Sequence, residues 1–414
     1  MKHSLKLHHQ KENENIQSLE SIPEKLATII PEYRYLFSLL NSVLYETDPA
    51  PPPENLNWKN FWNLAKRQKV DSLIYYACRK LESVIPAEVM SRFQQSHSVA
   101  IRHEAYYQYE LNLIFRKFNE QNIRYMPLKG YVLKSLYPSS DMRTMSDVDI
   151  LLDRESLPIA EQIIKSCHFV ARSQGINHHD VYTKPPCVMI ELHHELFDPL
   201  HSPWKNPENL WERATRIKST CEYQMDIQDF YLHLLTHLAY HYRFGYVQVR
   251  QFIDLWIFRE KYGSKIDDQK INRTLSELKL EQFILKVNQL IDVWFHGQKS
   301  DEILDQLTAE ILQEHSVENF MARNLTEFSV GGDFSFRGRF RFLINRIFPQ
   351  YKEMARWYPL LQKYRVLLPF FWGIRIIKSL FNASSRNKFF AILRIKKSEL
   401  IQTDDLNKKT GIQK

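Results

Sequence analysis

Cysteine is scarce in this chain. Four are spread over 414 residues, at Cys78, Cys167, Cys187 and Cys221. That scatter excludes a close-set metal motif and a disulfide scaffold, so a reducing, cytoplasmic setting is expected. Long apolar runs are missing too. No window approaches the ~18 uninterrupted apolar residues of a membrane-spanning helix, so no transmembrane segment is expected. The opening "MKHSLKLHHQKENENIQSLE" is polar throughout and lacks the apolar stretch of a signal peptide. Neither a P-loop nor the ordered HRD and DFG motifs occur, which argues against the usual kinase frameworks. "HHEL" begins like half a zincin helix. However, the residue at the required spacing after His194 and Glu195 is Asp198, and the signature fails.

What is present is ordinary for a soluble globular protein: 44% apolar and 25% charged residues. The length suits two or three domains, or one core with helical additions. The net charge of +8 is unevenly placed. From Gly331 to Lys414 there are 18 Lys and Arg against 5 Asp and Glu, a local balance of +13, so the rest of the chain is net acidic. Aromatic and aliphatic residues are mixed into that basic tail, as in "RVLLPFFWGIRIIKSLF". Such a stretch suits contact with an anionic surface, lipid or polyanion. The alternative is a solvated basic face on helices that pack elsewhere.

Residues 1–20 read as a disordered lead-in, and 21–119 as a helical region broken at Pro49–Pro53. "VDSLIYYACRKLESV" and "FQQSHSVAIRHEAYYQYELNLIFRKFNEQN" carry apolar residues at helical spacing. The period changes at Ile123. "IRYMPL" predicts a strand, "GYVLKSLY" a helix, "SDVDILLD" a strand, "SLPIAEQIIKSCHF" a helix and "CVMIELHHEL" a strand. Ser156 is the candidate N-cap of the second helix, with Pro158 in its first turn. An α/β unit is therefore expected over 120–205. Helical regions follow over 206–330 and, with the basic tail, over 331–414.

Alternate residues of a strand share a face. Asp147, Asp149 and Leu151 thus point one way, and Val148, Ile150 and Leu152 point to the core. Two carboxylates on one face repel, and burying them is costly unless they are paired or bound to metal. A hard divalent cation, Mg2+ or Mn2+, resolves the cost. The next strand offers Glu191 as a third carboxylate. If it lies beside "VDIL", the three could hold two ions about 3.5–4 Å apart. Lys129 and Gly130 open the intervening helix, where N–H groups, the lysine charge and the Arg143 fork could meet phosphate.

"LKG", "LYP", "MRTMSDVDILL", "IELHHEL" and "LHLLTHLAYH", in that order, resemble the uncharacterised bacterial nucleotidyltransferase family of the DNA polymerase beta-like nucleotidyltransferase superfamily. The resemblance implies an α+β fold: a small mixed-sheet nucleotidyltransferase core flanked by N- and C-terminal helical regions. It also implies Asp147 and Asp149 as metal ligands, Glu191 as the third carboxylate activating the acceptor, and Gly130 at the glycine of the family's phosphate turn. The chain departs from that turn, since "KGY" has no second small residue and Gly130 stands further from Asp147 than is usual.

The activity implied is transfer of a nucleoside monophosphate from a nucleoside triphosphate, with release of pyrophosphate. ATP is expected on abundance, because nothing in the sequence reads a base. The acceptor is open: a small molecule, a peptide or protein, or a nucleic acid. His193 shares the face of Glu191, His179 precedes that strand, and His237 and His241 lie one helical turn apart. All four are candidates for the acceptor site. The rival functions are a non-catalytic ligand-binding protein on the same fold and a kinase-like phosphotransferase.

Overall fold

The proline-rich break at Pro49–Pro53 separates two helices, α1 (Pro31–Leu44) and α2 (Trp58–Arg67). Asn57 starts α2: its side chain accepts the Asn60 N–H at 3.0 Å, the usual work of an N-cap. Helix α3 (Asp71–Cys78) and the 34-residue α4 (Ala87–Glu120) follow. The computed structural model describes residues 31–175, 178–197, 207, 209–244, 246–313, 317–328 and 334–412. The lead-in expected over 1–20 lies outside the described residues. All four cysteines are free.

The period change at Ile123 marks the start of the sheet. In chain order come β1 (Tyr125–Pro127), the one-turn helix α5 (Lys129–Leu133), β2 (Val148–Leu152), α6 (Leu157–Ser166), β3 (Val170–Ser173), β4 (His179–Lys184) and β5 (Val188–His193). The sheet order is β1-β2-β5-β4-β3. The pair β2–β5 is parallel and the other three pairings are antiparallel, so the sheet is mixed as expected. Two strands go beyond the sequence reading: β3 and β4 form an antiparallel pair at the sheet edge. Ser156 does stand before α6, but its hydroxyl makes no capping bond. It already lies in a 3-10 turn with helical backbone, whereas a capping side chain needs an extended one.

The two sheet faces bury different cores. Val148, Ile150 and Leu152 of β2 and Val188, Ile190 and Leu192 of β5 pack with Tyr107, Ile114 and Phe118 of α4 and Ile163 and Ile164 of α6. On the opposite face Met126 and Leu151 join a larger helical core. Its helices include α7 (Ile227–Phe244), α8 (Val249–Tyr262), α9 (Asp268–Glu277), α10 (Glu281–Phe295) and α11 (Glu302–Leu312). The C-terminal third continues with α12 (Val317–Phe328), α13 (Phe336–Ile347), α14 (Tyr351–Trp357), α15 (Leu368–Phe381), α16 (Ala383–Arg394) and α17 (Lys397–Lys409). These helices gather around two small apolar clusters of their own.

Candidate active site

Parallel pairing of β2 with β5 sets Asp149 directly opposite Glu191. Antiparallel pairing of β5 with β4 sets His193 opposite His179. Since residues two apart share a strand face, Asp149, Glu191, His193 and His179 converge on one side, with Asp147 just ahead of β2. His193 Nε2 lies 2.8 Å from Asp149 Oδ1 and 3.3 Å from Glu191 Oε2. His179 Nε2 lies 3.5 Å from the same Glu191 oxygen, and His179 Nδ1 is 3.3 Å from His178 Nε2.

Asp149 is 5% exposed, and an isolated carboxylate there would be strongly disfavoured. Two groups offset the cost. The Lys129 ammonium donates to Oδ1 at 2.8 Å, and His193 bonds the same oxygen. Burial alone would push the Asp149 carboxyl up, but Lys129 and His193 together hold it well below the ordinary range. The reciprocal effect holds for Lys129, where burial works downward and Asp149 outweighs it, leaving the ammonium above its usual value. Asp147 differs: burial, then the charges of Asp149 and Glu191, push it up to about 6. Glu191 sits below its usual value: burial works upward, and the His193 hydrogen bond with the nearby imidazoles outweighs it.

Lys129 takes φ +42° to aim its side chain at Asp149, in the left-handed region that non-glycine residues seldom enter. Gly130 has a packing reason as well. A Cβ there would meet Arg143 Nη1 at 3.0 Å and Met145 Cγ at 3.3 Å. The helix that follows, α5, has five residues. So few aligned peptide dipoles make a weak helix-end charge, which leaves the lysine ammonium as the main positive charge in this corner.

Arg143 is turned to α8. Its Nε and Nη2 donate to the two oxygens of Asp254 at 3.0 and 2.8 Å, and Nη1 donates to the Thr144 carbonyl at 2.8 Å. Tyr137 donates its hydroxyl to Asp254 Oδ1 at 2.7 Å. The bidentate edge that phosphate recognition would use is therefore engaged by Asp254. The sequence alone does not point to Arg250, one helical turn before Asp254. Its Nη1 donates to Thr144 O at 2.7 Å, and its Nε has no hydrogen-bond partner among the described residues. Burial and the neighbouring Arg143 pull its pKa down to about 10.

These groups line a cleft of about 630 Å3 between the sheet and α7–α8. Lys129, Gly130, Asp147, Asp149, Glu191 and His193 form the sheet side, and His237, His241 and Arg250 the helical side. His237 and His241 meet through their Nε2 atoms at 3.1 Å. Burial, with Lys129 next in effect, holds both imidazoles neutral: His241 is lowered to about 4, and His237 well below its usual value. Tyr107 of α4 pins the sheet end of the cleft. Its hydroxyl donates to Ser146 O at 2.9 Å and accepts from Met189 N at 3.2 Å.

Two sets of side chains bring their donor atoms within 4.8 Å of one another: Asp149, Glu191 and His193, and His178, His179 and His193. Asp147 belongs to neither set. The expected trio of Asp147, Asp149 and Glu191 thus lines one cleft, but it is His193 that completes the tighter group with Asp149 and Glu191.

A family profile described as "Uncharacterised nucleotidyltransferase" matches residues 54–296, which is more than half of the chain. The chain belongs to this family. The match runs from α2 to the end of α10 and so contains the whole sheet and both walls of the cleft. No curated protein and no solved structure matches the chain. In a nucleotidyltransferase family, Asp149 and Glu191 side by side on strands, with the half-buried Lys129 paired to Asp149, are groups of the kind that metal-assisted phosphoryl chemistry uses.

Proposed function

We propose that the protein is a metal-dependent nucleotidyltransferase of the DNA polymerase beta-like superfamily, moving a nucleoside monophosphate from a nucleoside triphosphate to an acceptor. The observation that carries this reading is the register Asp149↔Glu191 across β2 and β5, inside a cleft of a nucleotidyltransferase-family chain. The donor set fits a divalent cation: two carboxylates and an imidazole within 4.8 Å, with Asp147 nearby. Asp149, Glu191 and His193 would hold it, and Asp147 would join as substrate arrives. Mg2+ or Mn2+ bound there would supply charge neutralisation at the phosphates and a lowered acceptor pKa.

The chain's own groups do the rest. Lys129 leaves Asp149 to meet the triphosphate, and Arg250 brings a second half-buried cation from the opposite wall. The acceptor oxygen attacks the α-phosphorus while the bond to the β-phosphate oxygen breaks. Pyrophosphate leaves, and Glu191 takes the acceptor proton. His179 and the neutral pair His237–His241 border the acceptor side with hydrogen-bonding groups that carry no charge. Catalysis rests mainly on positioning and charge stabilisation. ATP is the expected donor.

The test works whatever the acceptor is. The protein is incubated with each α-labelled triphosphate, Mg2+ or Mn2+ and a cell extract. Label should enter a new species with release of pyrophosphate. Glu191→Gln should lower turnover ~100-fold or more while sparing nucleotide binding. Transfer of γ-label instead would make the protein a kinase-like phosphotransferase, and unimpaired transfer by Glu191→Gln would remove Glu191 from the mechanism.

A further inference from the structure

Between Met354 and Ser398 the chain holds ten Lys and Arg and no Asp or Glu. The same stretch exposes large apolar side chains. Val366 is 83% exposed, Phe370 63%, Ile377 57% and Phe381 84%. Their spacing of four, seven and four residues sets them along one stripe of α15 and the turn before it. On α16, Phe390 and Leu393 are 50% and 52% exposed. Soluble surfaces seldom gather so many large apolar groups in one place.

Among the described residues no single helix is long and apolar enough to cross a membrane. The segments Arg365–Phe381 and Ala383–Arg394 have the combined length and composition, but they are bent by 90° at Asn382. Lys378, Arg386 and Arg394 are interspersed with the apolar residues, and charges at such intervals are costly in the hydrocarbon centre and favourable at the headgroups. A second copy of the chain would set this predominantly positive stretch against itself. A nucleic acid would meet the charges but would leave the aliphatic and phenyl groups in water.

We propose that α15 and α16 form an amphipathic elbow that lies in the interface of an anionic lipid bilayer. The phenyl and aliphatic groups enter the acyl boundary, and the lysines and arginines meet anionic headgroups. This surface is independent of the cleft and of the chemistry assigned to it.

The experiment is flotation of the full chain with vesicles of phosphatidylcholine alone or with ~30% phosphatidylserine, at about 0.05 M and 0.5 M salt. Binding should appear with the anionic vesicles at low salt and fall at least tenfold with neutral lipid and at high salt. The variant Phe370→Ser/Phe381→Ser/Leu393→Ser should lose at least tenfold in binding, as should Lys378→Glu/Arg394→Glu. The Phe370→Leu/Phe381→Leu control should keep most of it. Phe381→Ser alone, at the most exposed position, should show a smaller loss with an unchanged thermal midpoint. No flotation at low salt, equal binding to neutral vesicles, or binding indifferent to the serine substitutions would overturn the proposal. So would binding to a single-stranded oligonucleotide with none to vesicles, which would assign the surface to a polyanion.

Discussion

Lys129 Nζ lies 2.8 Å from Asp149 Oδ1, joining a half-buried ammonium to a buried carboxylate. Removing one partner of such a pair leaves the other uncompensated, which costs on the order of 3–5 kcal/mol. Lys129→Met should therefore lower stability by about that amount, moderated by the hydrogen bond that His193 still gives Asp149. Lys129→Met/Asp149→Leu removes both charges and should regain much of the loss while binding no metal–nucleotide complex. Urea unfolding reads the first effect and calorimetry with nucleoside triphosphate and Mg2+ the second. A single variant as stable as the wild type would show that the pair is not what maintains the buried carboxylate.

Gly130 gives a sharper packing test. An added Cβ would press on Arg143 Nη1 at 3.0 Å, and the guanidinium is held from three directions by Asp254 and Thr144. It cannot yield without losing a buried hydrogen bond. Gly130→Ala is expected to cost about 1–3 kcal/mol despite its negative φ, as overpacking usually does. Gly175→Ala, where no neighbour lies within 4 Å but φ is +64°, serves as the contrasting case, since its cost is strain alone. If Gly130→Ala proves neutral in thermal unfolding, Arg143 has room that the packing denies.

His233 should make the fold acid-sensitive. It is 2% exposed, packs edge-to-face on Phe197, and neither ring nitrogen has a hydrogen-bond partner among the described residues. Burial, then the Lys129 charge, lower its pKa to about 3, with Asp149 acting in the opposite direction and His193 in the same one. The unfolded chain takes up this proton near pH 6.5 and the folded chain not until about 3. Its contribution is therefore complete above pH 6.5 and falls as pH drops, at up to about 1.4 kcal/mol per unit. Comparing wild type with His233→Leu isolates it from the carboxylates: between pH 7 and 5 the variant should lose about 2 kcal/mol less. Equal losses in both would mean that His233 is protonated or solvated in the folded state.

Legibility of this site in the sequence follows the reach of each interaction. The alternation in "SDVDILLD" and "CVMIELHHEL" reveals which side chains share a face, and Asp149 opposite Glu191 needs nothing more than those two strands side by side. The edge strands β3 and β4 leave no such trace. "VARS" and "HDVYTK" are largely half-exposed and polar on both faces, so no apolar period marks them. Arg143 resembles a phosphate fork in the sequence because its actual partner, Asp254, is 111 residues away. Arg250 escapes notice for the same reason: its place in the cleft depends on how α8 packs against the loop before β2. The i, i+4 spacing of Arg250 and Asp254 on one helix face is the available signal.

The nitrogen donor among the oxygens bears on which cation the cleft prefers. Carboxylate sites accept Mg2+ readily, whereas imidazole shifts preference toward first-row transition metals. His193 is fully embedded, its Nε2 faces Asp149 and Glu191, and its Nδ1 has no partner among the described residues. Nothing on the Nδ1 side therefore locks the ring into the tautomer that would keep a proton on Nε2. We expect Mn2+ to bind at least about tenfold more tightly than Mg2+. His193→Gln should narrow that gap by weakening Mn2+ while leaving Mg2+ nearly unchanged. Calorimetry gives the affinities. Electron spin-echo spectroscopy of the Mn2+ form gives a readout independent of turnover, since a coordinated imidazole nitrogen modulates the echo and the modulation should vanish in His193→Gln. Removal of metal by chelation should abolish triphosphate binding in both proteins. Equal affinity for the two cations, with no nitrogen modulation in the wild type, would restrict the metal to the carboxylates and leave His193 as the hydrogen-bonding brace between Asp149 and Glu191.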